Sequence, residues 1–268
     1  MLLSAKNGNL TLGNSRMEYI RFGAGKKTLI LIPGLGDGLR TMKGTALPMA
    51  LLYRKFAKTH TVYAFSRGSC LPEGCTTRDM ARDLVLAMDA LGISRADVLG
   101  VSMGGMIAQH LALHWPERVG KLVLVVTSAR PNPVLVESIR EWTEQARSGD
   151  HTALMESNLR RIYSDAYYRK NKWMIPILGK WTKPKSYERF LIQAQACLDH
   201  DCFRDLPDIR VPTLVIGGEQ DRSLSPEASR EIARQIPGAR LKMYPQWGHG
   251  LYEEAGDFQQ VVLSFLLS

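Results

Sequence analysis

Three residues of the types that cooperate in nucleophilic catalysis occur along the chain in the order Ser102, Asp221, His249. A serine hydroxyl alone is a weak nucleophile, so it needs a base to take its proton, and the base needs a group that orients it. Serine, acid and histidine in this chain order form one of the recurring triad arrangements. We therefore expect acyl transfer, with Ser102 as the nucleophile, His249 as the general base and Asp221 as the acid that orients His249.

The surroundings of Ser102 strengthen its assignment as the nucleophile. Residues 100–104 read G-V-S-M-G and fit the pattern G-x-S-x-G. The apolar run at residues 96–101 predicts a buried strand, and the pattern at residues 103–114 predicts a helix. A serine between the two sits on a sharp turn, and its hydroxyl projects above the strand ends. The alternative is that Ser102 does no more than cap the helix.

His249 is the histidine best placed to act as the base. It follows a predicted strand at residues 241–244 and precedes a predicted helix at residues 258–267. A loop in that position lies at the carboxyl ends of the strands, where open α/β sheets bind their ligands. His110 and His114, four residues apart on a predicted helix, are interpreted as surface residues. An ordinary loop histidine remains the alternative for His249.

Asp221 and its neighbour Glu219 compete for the role of the acid. Both follow a predicted strand at residues 213–217, in the loop G-G-E-Q-D. Asp221 ends this loop and is the residue that we assign to the triad. Glu219 is interpreted as a solvated loop residue.

An acyl-transfer site also needs backbone donors for the oxyanion of the tetrahedral intermediate. One should be the N–H of Met103, directly after the nucleophile, and the second should come from the loop after the predicted strand at residues 28–32. That loop reads P-G-L-G. Pro33 has no N–H, so we assign the second donor to Leu35. A phosphate-binding loop is disfavoured because the segment lacks G-K-[ST] and the spacing G-x-G-x-x-G.

The elements that must position these residues alternate between strands and helices. Apolar runs separated by helical patterns of about 10 to 15 residues predict βαβ units and a mostly parallel sheet flanked by helices, which is an α/β fold class. Residues 129–205 are the exception, because they have helical patterns and no buried-strand run, and are too long for one crossover connection. We predict a core domain formed by residues 1–128 and 206–268, with residues 129–205 as a helical cap insertion. Further strands are predicted at residues 10–12, 17–22, 61–65 and 121–126, the first two as an antiparallel pair, and further helices at residues 76–91 and from Ser225.

Substrate contacts are predicted at Gly34, Asp37 and Trp142. Gly34 and Asp37 belong to the loop of the assigned oxyanion donor, and a turn-stabilising role is the alternative for Asp37. Trp142 belongs to the insertion, whose aromatic residues either line a pocket or pack the cap onto itself. These aromatic residues are Trp142, Tyr163, Tyr167, Tyr168, Trp173, Trp181, Tyr187 and Phe190. Residues 130–200 contain 12 Lys or Arg and 8 Asp or Glu, an excess that raises the hypothesis of a carboxylate-bearing substrate.

The composition disfavours several classes of function. The chain has 268 residues and a formal net charge of +9. It has no block of five or six like charges, so we expect a solvated basic surface rather than a nucleic-acid or membrane partner. No apolar run approaches the roughly 18 residues of a membrane span, and residues 1–10 lack the apolar core of a signal peptide, which together predict a cytoplasmic protein.

The cysteine spacing gives no support for a metal site. The four cysteines form two C-x4-C pairs, which do not fit the C-x2-C spacing of zinc sites, and we expect free thiols. We therefore expect no metal and no organic cofactor. The expected partner is a small-molecule substrate, and the oligomeric state is left open between a monomer and a homodimer.

Six short segments are together similar to the pattern of one known superfamily. They are L-I-P-G at residues 31–34, G-V-S-M-G-G at 100–105, W-P-E-R-V at 115–119, P-T-L-V-I at 212–216, G-E-Q-D at 218–221 and G-H at 248–249. The chain resembles the α/β-hydrolase superfamily over nearly its whole length, in the branch of small single-domain serine hydrolases that includes enol-lactonases, proline iminopeptidases, carbon–carbon bond hydrolases and esterases. The resemblance implies an α/β-hydrolase fold with the triad Ser102, Asp221 and His249. It also implies a helical cap inserted after the sixth strand.

Two positions depart from the family pattern. Pro33 stands where members often have a histidine, so the bond by which that side chain braces the oxyanion loop is missing. Ser66, after the predicted strand at residues 61–65, stands where members often have an aspartate. Neither change removes a catalytic group.

These inferences predict a serine hydrolase that acts through an acyl-enzyme on a carboxylic ester or lactone of a small molecule. Cleavage of carbon–carbon bonds or amides by the same triad is the first alternative. A ligand receptor or scaffold with little turnover is the second, and the intact triad argues against it.

Overall fold

The computed structural model describes residues 4–268 and contains one eight-stranded sheet. The strands in chain order are β1 Lys6–Leu12, β2 Ser15–Phe22, β3 Lys27–Ile32, β4 His60–Phe65, β5 Ala96–Val101, β6 Val119–Val125, β7 Thr213–Gly218 and β8 Arg240–Tyr244. Their order across the sheet is β1-β2-β4-β3-β5-β6-β7-β8. β2 pairs antiparallel with both β1 and β4, and the other pairings are parallel. The predicted mostly parallel sheet and its antiparallel opening pair are confirmed.

Helices cover both faces of the sheet. They are α1 Ala46–Leu52, α2 Thr77–Ala90, α3 Met103–His114, α4 Pro133–Arg147, α5 His151–Ile162, α6 Asp165–Asn171, α7 Ile175–Trp181, α8 Glu188–Leu198, α9 Pro226–Gln235, α10 Leu251–Glu254 and α11 Phe258–Leu267. Along β3, Ile30 and Ile32 pack into the core that contains α2 and α3, whereas Leu29 and Leu31 pack into the core that contains α1 and α11. Successive strand side chains point to opposite faces, so a strand covered on both sides needs a continuous apolar run.

Several predicted boundaries agree with the structure. β5, α3 and α11 begin and end at the predicted residues. α2 follows Thr76, whose side chain accepts a hydrogen bond from the Asp79 N–H while the Asp79 carboxylate accepts one from the Thr76 N–H, which forms a capping box. α1 has no counterpart among the predicted helices, because Thr45 makes no side-chain cap bond and the helix spans only seven residues.

Five helices, α4 to α8, lie between β6 and β7, within the segment predicted to be a helical insertion. The Cys202 N–H donates to the Ala129 carbonyl at 2.9 Å and closes the segment at its base. α8 packs on the loop that follows β3, where a Cβ on Gly38 would lie 2.8 Å from the Cα of Phe190. The insertion therefore reaches the loop that we assign to oxyanion binding. The division of the chain into a core domain and a separate cap of residues 129–205 stays a prediction.

The described residues offer neither a membrane-spanning helix nor a cluster of metal ligands. None of the helices within residues 4–268 combines the length and the apolar character that a bilayer span needs. Over the same residues, no three His, Cys, Asp or Glu side chains are grouped as potential ligands of a metal ion. All four cysteines are free thiols.

Candidate active site

Ser102 occupies the sharp turn between β5 and α3. Its backbone has φ 55° and ψ −123°, and a positive φ is costly for a non-glycine residue unless the surroundings hold it. The Ser102 N–H donates to the Val125 carbonyl at 2.9 Å, and the Thr127 hydroxyl donates to the Ser102 carbonyl at 2.7 Å. The Ser102 side chain makes no cap bond to α3. The alternative of a serine that only caps the helix is therefore not supported.

The glycines that flank Ser102 are required by close packing rather than by their own backbone angles. A Cβ on Gly104 would lie 2.0 Å from the carbonyl oxygen of Ile32, at the end of β3. A Cβ on Gly100 would lie 2.3 Å from the Gly104 carbonyl oxygen. Any larger residue would force α3 away from the strand ends, whereas the strained turn belongs to Ser102 itself.

Asp221 and His249 form a buried hydrogen-bonded pair. Asp221 Oδ2 lies 2.9 Å from His249 Nδ1, and the two side chains are 3% and 5% exposed. The other carboxylate oxygen accepts the N–H groups of Ser223 at 2.8 Å and Leu224 at 3.0 Å. A carboxylate at Nδ1 makes that nitrogen the donor, which leaves Nε2 as a proton acceptor. The pair can thus supply an oriented base.

Ser102 and His249 line the same cavity. The hydrogen bonds within residues 4–268 do not include one between the Ser102 hydroxyl and His249. Catalytic hydrogen bonds of this kind often tighten only when substrate binds. The rival acid Glu219 forms an ion pair with Arg230 of α9 instead of contacting His249. Of the two acids in this loop, Asp221 is the one that the structure brings to the histidine.

The two predicted oxyanion donors lie at the starts of two helical turns. Met103 is the first residue of α3, and Leu35 is the first residue of the 3-10 turn Leu35–Gly38 after β3. The first N–H groups of a helix have no partner within it, so they are available to an anion. A Cβ on Gly34 would lie 3.3 Å from Ser102 Cβ and 3.8 Å from its Oγ. The loop of Leu35 therefore lies directly against the candidate nucleophile.

A cavity of about 370 Å³ adjoins Ser102 and His249. The three predicted substrate-contact residues, Gly34, Asp37 and Trp142, all line it. Trp142 is 6% exposed, and its buried indole N–H has no hydrogen-bond partner within the described residues. Much of the remaining wall is apolar and includes Met42, Met49, Leu52, Tyr53, Ile162 and Tyr252.

Most aromatic residues of the insertion lie away from the cavity. Of the eight named above, only Trp142 is part of the wall. Tyr163 and Tyr167 stack on each other with their ring centroids 4.2 Å apart, and Phe190 is buried in the core. The sequence did not point to Met49 and Tyr53 as wall residues. Met49 lies in α1 and Tyr53 directly follows it, and no helix was predicted there.

Asp37 lies on the loop after β3, which we call the oxyanion loop for the role that we assign to it, and its carboxylate faces two arginines. Oδ2 accepts the Arg67 N–H at 3.0 Å and a guanidinium N–H of Arg189, from α8. Arg189 also donates to the backbone carbonyls of Asp37, Arg67 and Gly68, and the Arg67 guanidinium donates to the Pro33 carbonyl. We call these three side chains the Asp37–Arg67–Arg189 cluster. It ties the oxyanion loop to α8 and to the loop after β4.

The cluster refines two sequence-based expectations. The histidine-borne brace is missing as expected, but the Arg67 guanidinium donates to the Pro33 carbonyl and holds the oxyanion loop in its place. Asp37 lines the cavity with Oδ2 paired to arginines and with Oδ1 lacking a hydrogen-bond partner among the described residues, so it positions the loop while its contact with substrate stays a prediction. Burial lowers the pKa of Arg67, and the Asp37 carboxylate opposes that lowering. Two signals could have pointed here: Arg67 directly follows a strand end, and Asp37 lies in the glycine-rich loop.

The variant Asp37→Asn is expected to lower the free energy of unfolding by about 3 kcal/mol, because it leaves a buried guanidinium without its carboxylate. We also expect kcat to fall while KM changes little, since the cluster positions the Leu35 donor. Urea unfolding and steady-state kinetics test both effects. The control is Glu137→Gln, which removes a partner of Arg161 that is 72% exposed and should cost less than about 1 kcal/mol. Equal effects of the two variants would contradict the proposed brace.

Two histidines outside the candidate triad, His110 and His200, pack against each other. The predicted surface position is confirmed for His114, which is exposed, whereas His110 is partly buried and its ring meets His200 edge-on at 5.1 Å. His200 is buried, and its Nδ1 lies 3.0 Å from the Thr77 hydroxyl. Burial lowers the pKa of His200 to about 3 and that of His110 to about 4. Both imidazoles are therefore neutral in the folded protein at neutral pH.

Acid is expected to destabilise the protein through His200. In the unfolded chain this histidine titrates near 6.5, so between about pH 6.5 and pH 3 the unfolded state binds a proton that the folded state does not. The free energy of unfolding therefore falls as the pH drops through this window, by about 1.4 kcal/mol per pH unit. Urea unfolding at pH 7, 5.5 and 4.5 should show a shallower loss for His200→Gln than for the wild type. Parallel losses would contradict this account.

Comparison with known proteins places the chain in a family. The sequence model of a family described as "alpha/beta hydrolase fold" matches residues 27–256. The chain belongs to this family. The matched part of this α/β hydrolase includes the candidate triad and all the helices between β6 and β7.

Curated relatives of this α/β hydrolase are named for several hydrolytic reactions. The RutD protein of Caulobacter sp. (strain K31), named for carbamate hydrolysis, is 30% identical over 254 residues, which cover 90% of this chain and 91% of the relative. A 2-hydroxy-6-oxononadienedioate/2-hydroxy-6-oxononatrienedioate hydrolase of Paraburkholderia phymatum is 30% identical over 269 residues, covering 94% and 91%. The crystal structure of the enol-lactonase from Burkholderia xenovorans LB400 superposes with a TM-score of 0.82 at 23% identity, covering 97% and 100%, and supports the fold. The chain is accordingly a hydrolase.

Proposed function

We propose that this hydrolase cleaves carboxylic esters or lactones of small molecules through an acyl-enzyme on Ser102. The observation that carries the proposal is the buried Asp221–His249 hydrogen bond of 2.9 Å beside a strained Ser102 whose hydroxyl caps no helix. Such a constellation converts a serine into a nucleophile without a metal or an organic cofactor.

The proposed reaction has two acyl-transfer steps. His249 Nε2 takes the Ser102 proton as the hydroxyl oxygen attacks the carbonyl carbon, and Asp221 stabilises the imidazolium. The N–H groups of Leu35 and Met103 stabilise the oxyanion, with about 3 kcal/mol per donor in comparable sites. The leaving alcohol departs with the proton from His249. A water molecule, deprotonated by the same histidine, then releases the acid and restores Ser102.

The charges around the cavity favour an uncharged substrate. The cap contributes Trp142, Asn158 and Ile162 to the wall, so the Lys and Arg excess of the insertion does not reach it. The acidic and basic residues of the wall, apart from His249, are Asp37, Arg40 and Glu253. A dianionic substrate, such as the dioate in the name of the Paraburkholderia relative, would meet no excess of positive charge there. We therefore set aside the hypothesis of a carboxylate-bearing substrate.

A substrate panel tests the proposal. Short p-nitrophenyl esters and simple lactones should be hydrolysed with kcat/KM at least 100-fold above that for a vinylogous diketone or a p-nitroanilide. Faster cleavage of the diketone would favour the carbon–carbon bond hydrolase, which the name of the Paraburkholderia relative keeps as the second candidate. A folded wild type that neither turns over any of these substrates nor reacts with a fluorophosphonate probe would favour the receptor or scaffold.

A further inference from the structure

One side of the cap is covered by exposed apolar residues. Trp173, Ile177, Leu178 and Trp181 are 65%, 53%, 36% and 84% exposed. A 3-10 turn, Lys172–Met174, runs directly into α7, so the four-residue spacing of Trp173, Ile177 and Trp181 places them along one side of a continuous helical path. We call these four residues the apolar cap face.

The opposite side of α7 already packs against the protein. Ile175 is 7% exposed, and Gly179, four residues later, is buried against α5, where a Cβ on Gly179 would lie 2.9 Å from the Thr152 hydroxyl oxygen. Packing within the chain therefore accounts for Ile175 and Gly179 but not for the apolar cap face. Ten large apolar side chains are exposed within residues 4–268, and four of them lie in the nine positions 173–181. Such clustering marks an interaction site, whereas scattered exposed apolar residues do not.

Basic residues flank the apolar cap face along the chain. Residues 166–187 contain no Asp or Glu. The preceding acid, Asp165, forms an ion pair with Arg222 at 2.8 Å. The basic residues in this stretch, all exposed, are Arg169, Lys170, Lys172, Lys180, Lys183 and Lys185. The segment therefore combines an apolar strip with a positive border.

We propose that the apolar cap face docks on a membrane surface that contains anionic lipids. Tryptophan favours the boundary between headgroups and acyl chains, and Ile and Leu enter the apolar side of that boundary. Lysines that border the strip extend their ammonium groups to anionic headgroups. The association is peripheral, along the plane of the interface. It reverses the expectation of no membrane partner, and it is independent of the proposed reaction.

Charge and side-chain chemistry favour lipid over other occupants. A second copy related by two-fold symmetry would place the same six positive charges opposite one another, which opposes self-association. A single-stranded nucleic acid would use the tryptophans for stacking, but it offers no apolar environment to Ile177 and Leu178. An anionic bilayer satisfies both the charge and the aliphatic side chains.

Vesicle co-sedimentation tests the proposal with the full chain. Wild-type protein should bind vesicles of 70% phosphatidylcholine and 30% phosphatidylglycerol at least tenfold more tightly than pure phosphatidylcholine vesicles, and 0.5 M salt should remove most of the difference. Trp173→Ser/Trp181→Ser and Lys172→Gln/Lys180→Gln should each weaken binding at least tenfold, since one basic residue contributes roughly fivefold. The matched controls are Leu86→Ser, at a leucine 46% exposed on α2, and Lys26→Gln/Lys58→Gln, at exposed lysines elsewhere. Both controls should bind like the wild type.

All the variants should keep wild-type circular dichroism and hydrolysis of a soluble ester, because none of these residues lines the cavity. The proposal would be overturned if the wild type bound both vesicle types equally and the Trp variant bound them as tightly as the wild type. It would also be overturned if the wild type were a dimer that becomes monomeric in the Trp variant and neither protein bound vesicles. Binding of single-stranded DNA without binding of anionic vesicles would do the same.

Discussion

Replacement of Ser102 by alanine is expected to abolish ester hydrolysis, lowering kcat by roughly 10⁵-fold or more. The variant removes the only atom that can form the acyl-enzyme in our mechanism, while Asp221, His249 and the backbone donors stay in place. KM for a poorly reacting ester should change little, because the cavity wall is intact. Steady-state kinetics and labelling by a fluorophosphonate probe check the result, and the probe should label the wild type at Ser102.

Ser225 offers a matched control for that variant. It is also a serine with a positive φ, 73°, directly before a helix, but its side chain accepts the Glu227 N–H as a cap. Ser225→Ala should keep full activity and lose about 1 kcal/mol of stability. Probe labelling that persists in Ser102→Ala would show that another residue is the nucleophile.

A second substitution at Ser102 separates function from stability. Glycine adopts φ 55° without the strain that serine carries there. Ser102→Gly should therefore be as inactive as Ser102→Ala, but it should unfold at a higher temperature than Ser102→Ala. Calorimetry of the two variants tests whether the strained turn is held in place for catalysis.

Asp221→Asn is expected to lower kcat by about 10⁴-fold with little change in fold. The amide can keep an oxygen facing the N–H groups of Ser223 and Leu224, so its NH2 then faces His249 Nδ1. That nitrogen must become an acceptor, which moves the imidazole proton to Nε2 and removes the base that Ser102 needs. Kinetics on the best ester from the substrate panel measure the loss.

Glu219→Gln is the control for Asp221→Asn. Glu219 belongs to the same loop, and its partner is Arg230, with both side chains about one third exposed. We expect its activity to stay within about threefold of the wild type and its stability to fall by less than about 1 kcal/mol. If Glu219→Gln were the more damaging variant, the assignment of the acid would be wrong.

The buried strands and the helices that follow them were predictable from the sequence. The run A-D-V-L-G-V has the bounds of β5, and it is apolar except for Asp97 because the strand is covered on both faces. α1 was not predictable in the same way. Its apolar pattern is short and it lacks a capping side chain, so it is held by packing of Ala46 and Ala50 into the core on the sheet rather than by local signals.

Motifs and chain order pointed to the candidate triad but not to the cluster of charged residues beside it. The chain order and the strand–turn–helix context suggested Ser102, Asp221 and His249, and the structure brings Asp221 and His249 into a hydrogen bond. Their catalytic roles are our proposal. The sequence did not disclose the Asp37–Arg67–Arg189 cluster, because its members come from three separate segments. Asp37 and Arg67 meet where the adjacent strands β3 and β4 end, and Arg189 joins them when α8 packs on the oxyanion loop.

What the sequence determined by itself is therefore the fold class, the family resemblance and the residues that end the strands of a parallel sheet. These follow from side-chain periodicity and from turns that only certain residues permit. The tertiary structure alone decided which charges reach the cavity, how Pro33 is braced without a histidine, and that one side of α7 stays exposed. Each of these depends on contacts between segments distant in the chain, and neither periodicity nor spacing along the sequence specifies such contacts.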